Sequence, residues 1–336
     1  MATYKGISGA LIRTTAQDPT SPQVGEIWFN TTLGSLKGRQ YIDGVFASGA
    51  NMNTPRAATG SATKGTQTSA LVFGGESGGG NRGLTEAYNG TTWSEVADLN
   101  TTRKNLMGAG TQTAAVGFGG YTNPGGFTDV TEEWNGSSWT NGNAMNRAKD
   151  SAGKAGVQTA ALSVAGRGTP GVTILSEVEE YNGTNWSEVT NTPTAVATSQ
   201  SFGIQTAAVT AGGATPPTSP TYPAAITFEY DGSSWTGGGN MNNARGLGGT
   251  AGTQTAGVIM GGYQAPPDAL LSFVEDYNGT AFANAPTLST ARTANGSGGS
   301  TAGLAITFGS ATPSFTATTE ERQEGYQGNV TLTTNT

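Results

Sequence analysis

Neither histidine nor cysteine occurs anywhere in this chain of 336 residues. Without them there is no imidazole base, no Ser-His-Asp or Cys-His nucleophile, no zinc site of the usual kind and no disulfide. No metal or cofactor is expected. Charge is also sparse: Asp, Glu, Lys and Arg make up 12% of the residues, the net charge is −7 and the basic residues are scattered. Long-range attraction to nucleic acid or to an anionic membrane surface is therefore not expected. No apolar run approaches the ~18 residues of a membrane span. The opening Met1-Ala2-Thr3-Tyr4-Lys5 has no apolar signal core, so neither membrane insertion nor general secretory export is expected.

Glycine is abundant, with 53 residues, beside 14 prolines and much Thr, Ser and Asn, while hydrophobic residues make up 35%. Such a composition suits an all-β protein with many turns, and two ladders of repeated residues support that choice. Gln67, Gln112, Gln158, Gln205 and Gln254 are 45, 46, 47 and 49 positions apart. Beside them run Tyr88-Asn89-Gly90…Trp93, Trp134-Asn135-Gly136…Trp139, Tyr181-Asn182-Gly183…Trp186, Tyr230-Asp231-Gly232…Trp235 and Tyr277-Asn278-Gly279…Phe282. Repeats of this length with short strands point to a propeller or another repeat array.

Residues 56–100 illustrate one unit. The stretch Arg56 to Thr63, rich in small side chains, suits an innermost strand where neighbouring sheets converge. Thr68 to Phe73 is a β-prone run stopped by Gly74-Gly75, and Leu84 to Tyr88 forms a third strand. Asn89-Gly90 predicts a two-residue hairpin turn with positive φ at both positions, and Trp93 to Leu99 forms the outer strand. Four antiparallel strands of this kind make one propeller blade. A sixth unit opens at Arg292 and reaches Thr319-Glu320-Glu321, then loses its second half. The missing half stands near the start as Tyr41-Ile42-Asp43-Gly44-Val45-Phe46. A strand from near the N-terminus is thus expected to complete the last blade. Six blades are expected, with seven as the alternative if residues 1–40 contribute more sheet.

The order Gly-Gly after an apolar strand, then Glu and Tyr, then Trp six to seven residues beyond the Glu, resembles the kelch repeat over roughly residues 39–322. The third unit departs with Ala165-Gly166 and the sixth with Phe308-Gly309. The N-terminal M-A-x-Y-K-G-I-x-G, followed by D-P-x-x-P-x-x-G-E-I-W-F-N-T-T, is similar to virion and tail-fibre-like proteins of marine tailed bacteriophages. That resemblance implies an attachment segment, residues 1–38, followed by a displayed β-rich head, residues 39–322, and a C-terminal tail, residues 323–336. It makes Tyr4, Ile27, Trp28 and Phe29 the expected attachment residues. A virion location, multiple copies per particle and contacts with other virion proteins through residues 1–38 follow from it.

Arg56, Arg103, Lys149, Arg245 and Arg292 recur four residues after Met52, Leu99, Met145, Met241 and Leu288, with Val196 standing at the fourth unit's equivalent. They are candidates for a basic ring near a channel mouth that clamps a carboxylate or sulfate on a glycan. The competing expectation is that each bonds carbonyls of the adjacent blade. The loops after the second strand (76–83, 121–127, 167–173, 214–225, 263–270 and 310–315) vary from unit to unit and should share that face. Their Tyr121, Phe127, Tyr222 and Tyr263 would offer aromatic faces to sugars or proteins. Glu86, Glu132, Glu179, Glu275 and Glu320 are expected to accept blade-to-blade hydrogen bonds, because an active site would break the repeat rather than follow it. Copper chemistry of the galactose-oxidase type is excluded by the missing His and Cys.

The expected protein is a non-enzymatic tail or fibre appendage that recognises a host-surface glycan or envelope protein. A purely architectural decoration protein, a polysaccharide-degrading propeller and a bacterial surface adhesin are the alternatives.

Overall fold

The computed structural model describes residues 12–23, 26–42, 44–170, 172–216, 223–265, 269–311, 314–323 and 325–332. Every regular element among them is a strand. The chain divides into two units, one of Met1–Val45 with Glu324–Thr336, the other of Phe46–Gln323.

The smaller unit is one sheet in the order Arg13–Thr15, Ile27–Asn30, Ser35–Ile42 and Tyr326–Thr331, its first pair parallel and the others antiparallel. Residues 31–34 turn the second strand back on the third, with Gly34 at φ +59° and Leu33 N donating to Asn30 Oδ1 at 2.9 Å. The C-terminal strand runs beside the third, Tyr41 opposite Gln327. Two sequence expectations change here. Within the expected tail, residues 323–336, Tyr326–Thr331 is a strand of this sheet, and Tyr41-Ile42 belongs to this sheet rather than to the last repeat. Pairing across nearly the whole chain length leaves no local sequence signal, so the boundary expected at 38/39 falls at 45/46.

Among the described residues the larger unit holds six antiparallel sheets of four or five strands and two short two-stranded ones, a propeller-like all-β arrangement. The first contains Gly60–Ser61, Leu71–Phe73, Thr85–Tyr88 and Trp93–Val96. The second runs from Met107–Thr111 to Trp139–Asn141, the third from Lys149–Asp150 and Gly153–Val157 to Trp186–Val189, and the fourth from Gln200–Ile204 to Trp235–Gly237. The fifth spans Gly249–Thr253 to Phe282–Ala285. In the sixth, Gly296–Gly298, Ile306–Ser310 and Thr316–Arg322 are completed by Phe46–Gly49, with Phe46 opposite Arg322. The innermost strands are rich in small residues because they crowd one another. A Cβ on Gly108 would lie 2.6 Å from Ser61 O of the preceding sheet.

The repeated residues fasten each sheet to the one before it. Gln112 Nε2 donates to Ala70 O (3.0 Å) and Tyr88 O (2.6 Å), and Gln158, Gln205 and Gln254 repeat the pattern one sheet further on. Gln67 makes the same bond from the first sheet to the sixth, reaching Arg322 O at 2.7 Å. Trp139 and Trp186 donate their indole N–H to Thr85 Oγ1 (3.1 Å) and Thr131 Oγ1 (2.9 Å), and Trp93 of the first sheet reaches Thr319 Oγ1 of the sixth at 3.1 Å. Their rings pack against Phe73, Phe118 and Phe308, with centroids 4.8–4.9 Å apart, a geometry worth about 0.5–1.5 kcal/mol per pair beyond burial. The apolar core accordingly lies between sheets, as in the cluster of Phe73, Leu99, Leu106, Trp134 and Trp139.

The Asn-Gly turn is wider than expected. Tyr88 pairs with Trp93, leaving four loop residues, and only Gly90 of the Asn-Gly pair has positive φ. Asn89 Oδ1 instead accepts from Thr91 N (2.9 Å) and Thr92 N (2.8 Å), a side-chain-closed turn for which Asn and Asp are suited.

Candidate functional site

The five basic residues of the expected ring are buried, with side chains 0–1% exposed, and each is paired with one of the recurring glutamates. Arg56–Glu86 and Arg245–Glu275 are 2.7 Å apart, Arg103–Glu132 3.1 Å, Lys149–Glu179 3.2 Å and Arg292–Glu320 2.6 Å. The other oxygen of each carboxylate accepts the backbone N–H of Asn53, Asn100, Asn146, Asn242 or Ser289 at 2.6–2.7 Å. Those residues lie in the link that enters the sheet from its predecessor, so each glutamate ties a link to its own third strand. Burial pulls Arg103 down to about 10 while Glu132 opposes the shift, which leaves the guanidinium charged at neutral pH. Burial lowers Arg56, Lys149, Arg245 and Arg292 in the same way, each against its glutamate. Groups so enclosed do not reach a ligand, and the clamp expected at Arg56, Arg103, Lys149, Arg245 and Arg292 is corrected to a set of internal fastenings.

The fourth sheet lacks this hub. Val196 replaces the cation, Phe228 stands in the strand position of the glutamate, and Pro193 replaces the residue whose N–H the carboxylate would accept. Val196 is 1% exposed in an apolar cluster against which Phe228 packs. Loss of an acid, a cation and a donor together leaves no uncompensated buried charge at these positions.

A second ladder is also exchanged in pairs. Tyr181 Oη donates to Glu133 Oε1 at 2.6 Å and Tyr230 Oη to Glu180 Oε1 at 3.0 Å, each crossing to the preceding sheet; Tyr88 reaches Glu321 and Tyr277 reaches Glu229 likewise. Where Trp134 replaces the tyrosine, Ala87 replaces the acid. Where Arg322 replaces it, the partner is Asp276, held through two bonds of 2.5 and 2.7 Å. Burial, then the bonded carboxylate, pushes Tyr88 up to about 12 and raises Tyr181, Tyr230 and Tyr277 as well.

The segments after the second strands differ in form. Glu76–Ser77 with Gly80–Asn81, and Tyr121–Thr122 with Gly126–Phe127, are short hairpins. In the third and fifth sheets the second and third strands simply lengthen past a bulge. Tyr121 and Phe127 are half-buried and meet edge to face at 5.6 Å. Tyr263 is half-buried within Ala256–Gln264, its backbone paired with Gly246. Tyr222 and Tyr4 lie outside the described residues. In the smaller unit Ile27 and Phe29 are half-buried, but Trp28 is 0% exposed and its indole donates to Asp18 Oδ1 at 3.0 Å. Trp28 is therefore a core residue of that sheet, not a contact surface.

Sequence reasoning missed the feature that the six innermost strands share. Ala58, Asn105, Ser151, Thr198, Leu247 and Ala294 all have φ between +51° and +60°, a conformation that L-residues with a Cβ adopt at a cost. Each donates its N–H to the carbonyl of the residue before it in that series, at 2.8–3.0 Å, and Ala58 donates to Ala294. The six bonds form a circuit with no free end. These residues ring a cavity of ≈ 70 Å³ that also meets Thr59, Lys154, Ser199 and Asn295. At the strand position of Lys154 the other sheets carry Ser61, Gly108, Ser201, Thr250 and Ser297. A lone lysine among small residues was the available signal. No protein-family model matches this chain, and no curated protein matches it either.

Proposed function

We propose that residues 46–323 form a six-bladed, kelch-like β-propeller and that the chain is a non-enzymatic structural protein of a virus particle. The smaller unit, residues 1–45 with 324–336, attaches it to other virion proteins. The end of the propeller that carries the loops after the second strands recognises a host-surface glycan or envelope protein. The observation carrying this reading is the division of labour within the repeat. The recurring Arg, Glu, Gln, Tyr and Trp side chains are buried in fastenings between and within sheets. What differs from repeat to repeat is the set of loops beside the central cavity, where bridges such as Lys104–Tyr121 and Gly246–Tyr263 join loop to innermost link. Non-repeating segments gathered at one end of a repeat array are the usual place for recognition. The six-membered hydrogen-bond circuit supports the blade count, and the resemblance of the N-terminal segment supports the virion setting.

The test uses the full chain on host-surface preparations and glycan arrays, with residues 214–225 or 263–270 replaced by Gly-Ser segments of equal length. Binding is expected to fall at least tenfold in one of the two variants while the fold is retained. Unchanged binding in both overturns the loop assignment. Labelling of intact particles with an antibody against the chain is expected to mark the tail or fibres, and an unlabelled particle overturns the virion setting.

A further inference from the structure

Six lysines occur in the sequence, and Lys154 is the one that reaches the central cavity. Its surroundings differ from those of the other deep lysines. Lys149 is paired with Glu179, and Lys64 donates to Gly252 O at 2.6 Å. No hydrogen bond or ion pair to Lys154 exists among the described residues, and no opposite charge offsets its desolvation. No Asp or Glu lines the cavity. Asp150, which adjoins it through Asn105, is already held by Arg167 in two bonds of 2.9 and 3.0 Å and accepts from Asn105 Nδ2 at 3.0 Å. Lys154 is half-buried, and an ammonium drawn partly out of water without a partner is disfavoured; an anion is what would offset it.

The remaining lining groups suit an anion. Ser151 Oγ accepts from Arg167 and Ser199 Oγ accepts from Thr210, so both hydroxyl hydrogens are left to donate into the cavity. A volume of ≈ 70 Å³ has room for a small ion with a few waters. One cation balances one negative charge; a dianion would leave a net charge buried.

We propose that this cavity binds one small monovalent carboxylate, held by the Lys154 ammonium and the hydroxyls of Ser151 and Ser199. The site stands on the cavity's own geometry and is independent of the loop recognition described above. Burial brings Lys154 down to about 8, which still leaves it mainly charged at pH 7. A bound carboxylate would raise it again.

The experiment labels the full chain with [ε-13C]lysine and titrates sodium formate against sodium chloride at constant ionic strength, pH 7. The expected result is a saturable shift of one lysine signal whose pKa rises by about one unit, and no such shift in Lys154→Met. The thermal midpoint is expected to rise by about 1–2 °C at a tenfold excess over Kd, with no rise in Lys154→Met. That variant removes an unpaired charge, so its midpoint without formate should equal or exceed the parent's, which separates lost binding from lost folding. Lys64→Met should keep the response. No saturable shift, a response that persists in Lys154→Met or vanishes in Lys64→Met, or an equal response to chloride overturns the proposal.

Discussion

The second and fifth sheets each enclose a charged hub, whereas the fourth fills the same space with Val196, Phe228 and Pro193. Both solutions support four strands in the same register. The difference shows that the ion pair is one way of satisfying a joint, not a requirement of the fold. What the joint does require is that acid, cation and N–H donor be present together or absent together. A buried pair gives little net stability over an apolar replacement, while half a pair is costly. Trp134 facing Ala87 in place of Tyr facing Glu follows the same rule on a second ladder.

The largest expected effect comes from breaking one hub on one side. Arg245→Val leaves Glu275 buried and uncompensated and should cost about 3–5 kcal/mol in denaturant unfolding; a loss under about 1 kcal/mol would show that the hub is not enclosed. Val196→Arg, placing a cation beside Phe228, should be of similar size. Copying the fourth sheet's solution into the fifth as Arg245→Val, Glu275→Phe and Asn242→Pro should restore stability to within roughly 1–2 kcal/mol of the parent. The same variant without the proline should stay lower by about 1–3 kcal/mol, because Asn242 N–H then lacks its acceptor. If the proline makes no difference, the three positions are not coupled. Gln67→Ala and Gln158→Ala should each cost about 1–2 kcal/mol, and the joint between first and last sheets, served by Gln67, tests the circuit directly.

The smallest effect is a pH profile. Lys64 and Lys154 are each depressed to about 8 from 10.5, so between those values the unfolded chain binds more protons and stability rises with pH. The raised tyrosines act in the opposite sense: above about pH 10 the unfolded chain releases protons that Tyr88, Tyr181, Tyr230 and Tyr277 retain, and stability falls. Arg103, pulled from 12.5 to about 10, adds to the rise above pH 10 and opposes the tyrosines there, so the clear expectation is a rise in unfolding free energy between about pH 8 and pH 10. Lys154→Met should flatten that rise, and a parent profile that does not rise between about pH 8 and pH 10 would contradict the lysine assignments.

Most of the repeat architecture was legible because its signals are local. Gly74-Gly75 ends a strand, Asn89 closes a turn with its own side chain, and Gln112 recurs at the spacing of a sheet. Direction was not legible. Periodicity places Arg245 in every comparison with Arg56, but whether a guanidinium points outward or into a joint depends on the acid thirty residues later. The strand Tyr326–Thr331 escaped notice because its partner, Ser35–Ile42, lies at the other end of the chain. Lys154 was hidden for a different reason: it breaks a pattern of small residues that becomes visible only once the innermost strands are set in register.

The pairing of Phe46 with Arg322 has a mechanical meaning. The two ends of the larger unit leave side by side, from opposite members of one antiparallel pair. A load applied through both ends would therefore peel that pair residue by residue instead of shearing all its bonds at once. Arg322, clasped by Asp276 and capped at its carbonyl by Gln67, sits at the point where peeling would begin. The latch stands where the zip would otherwise start to open.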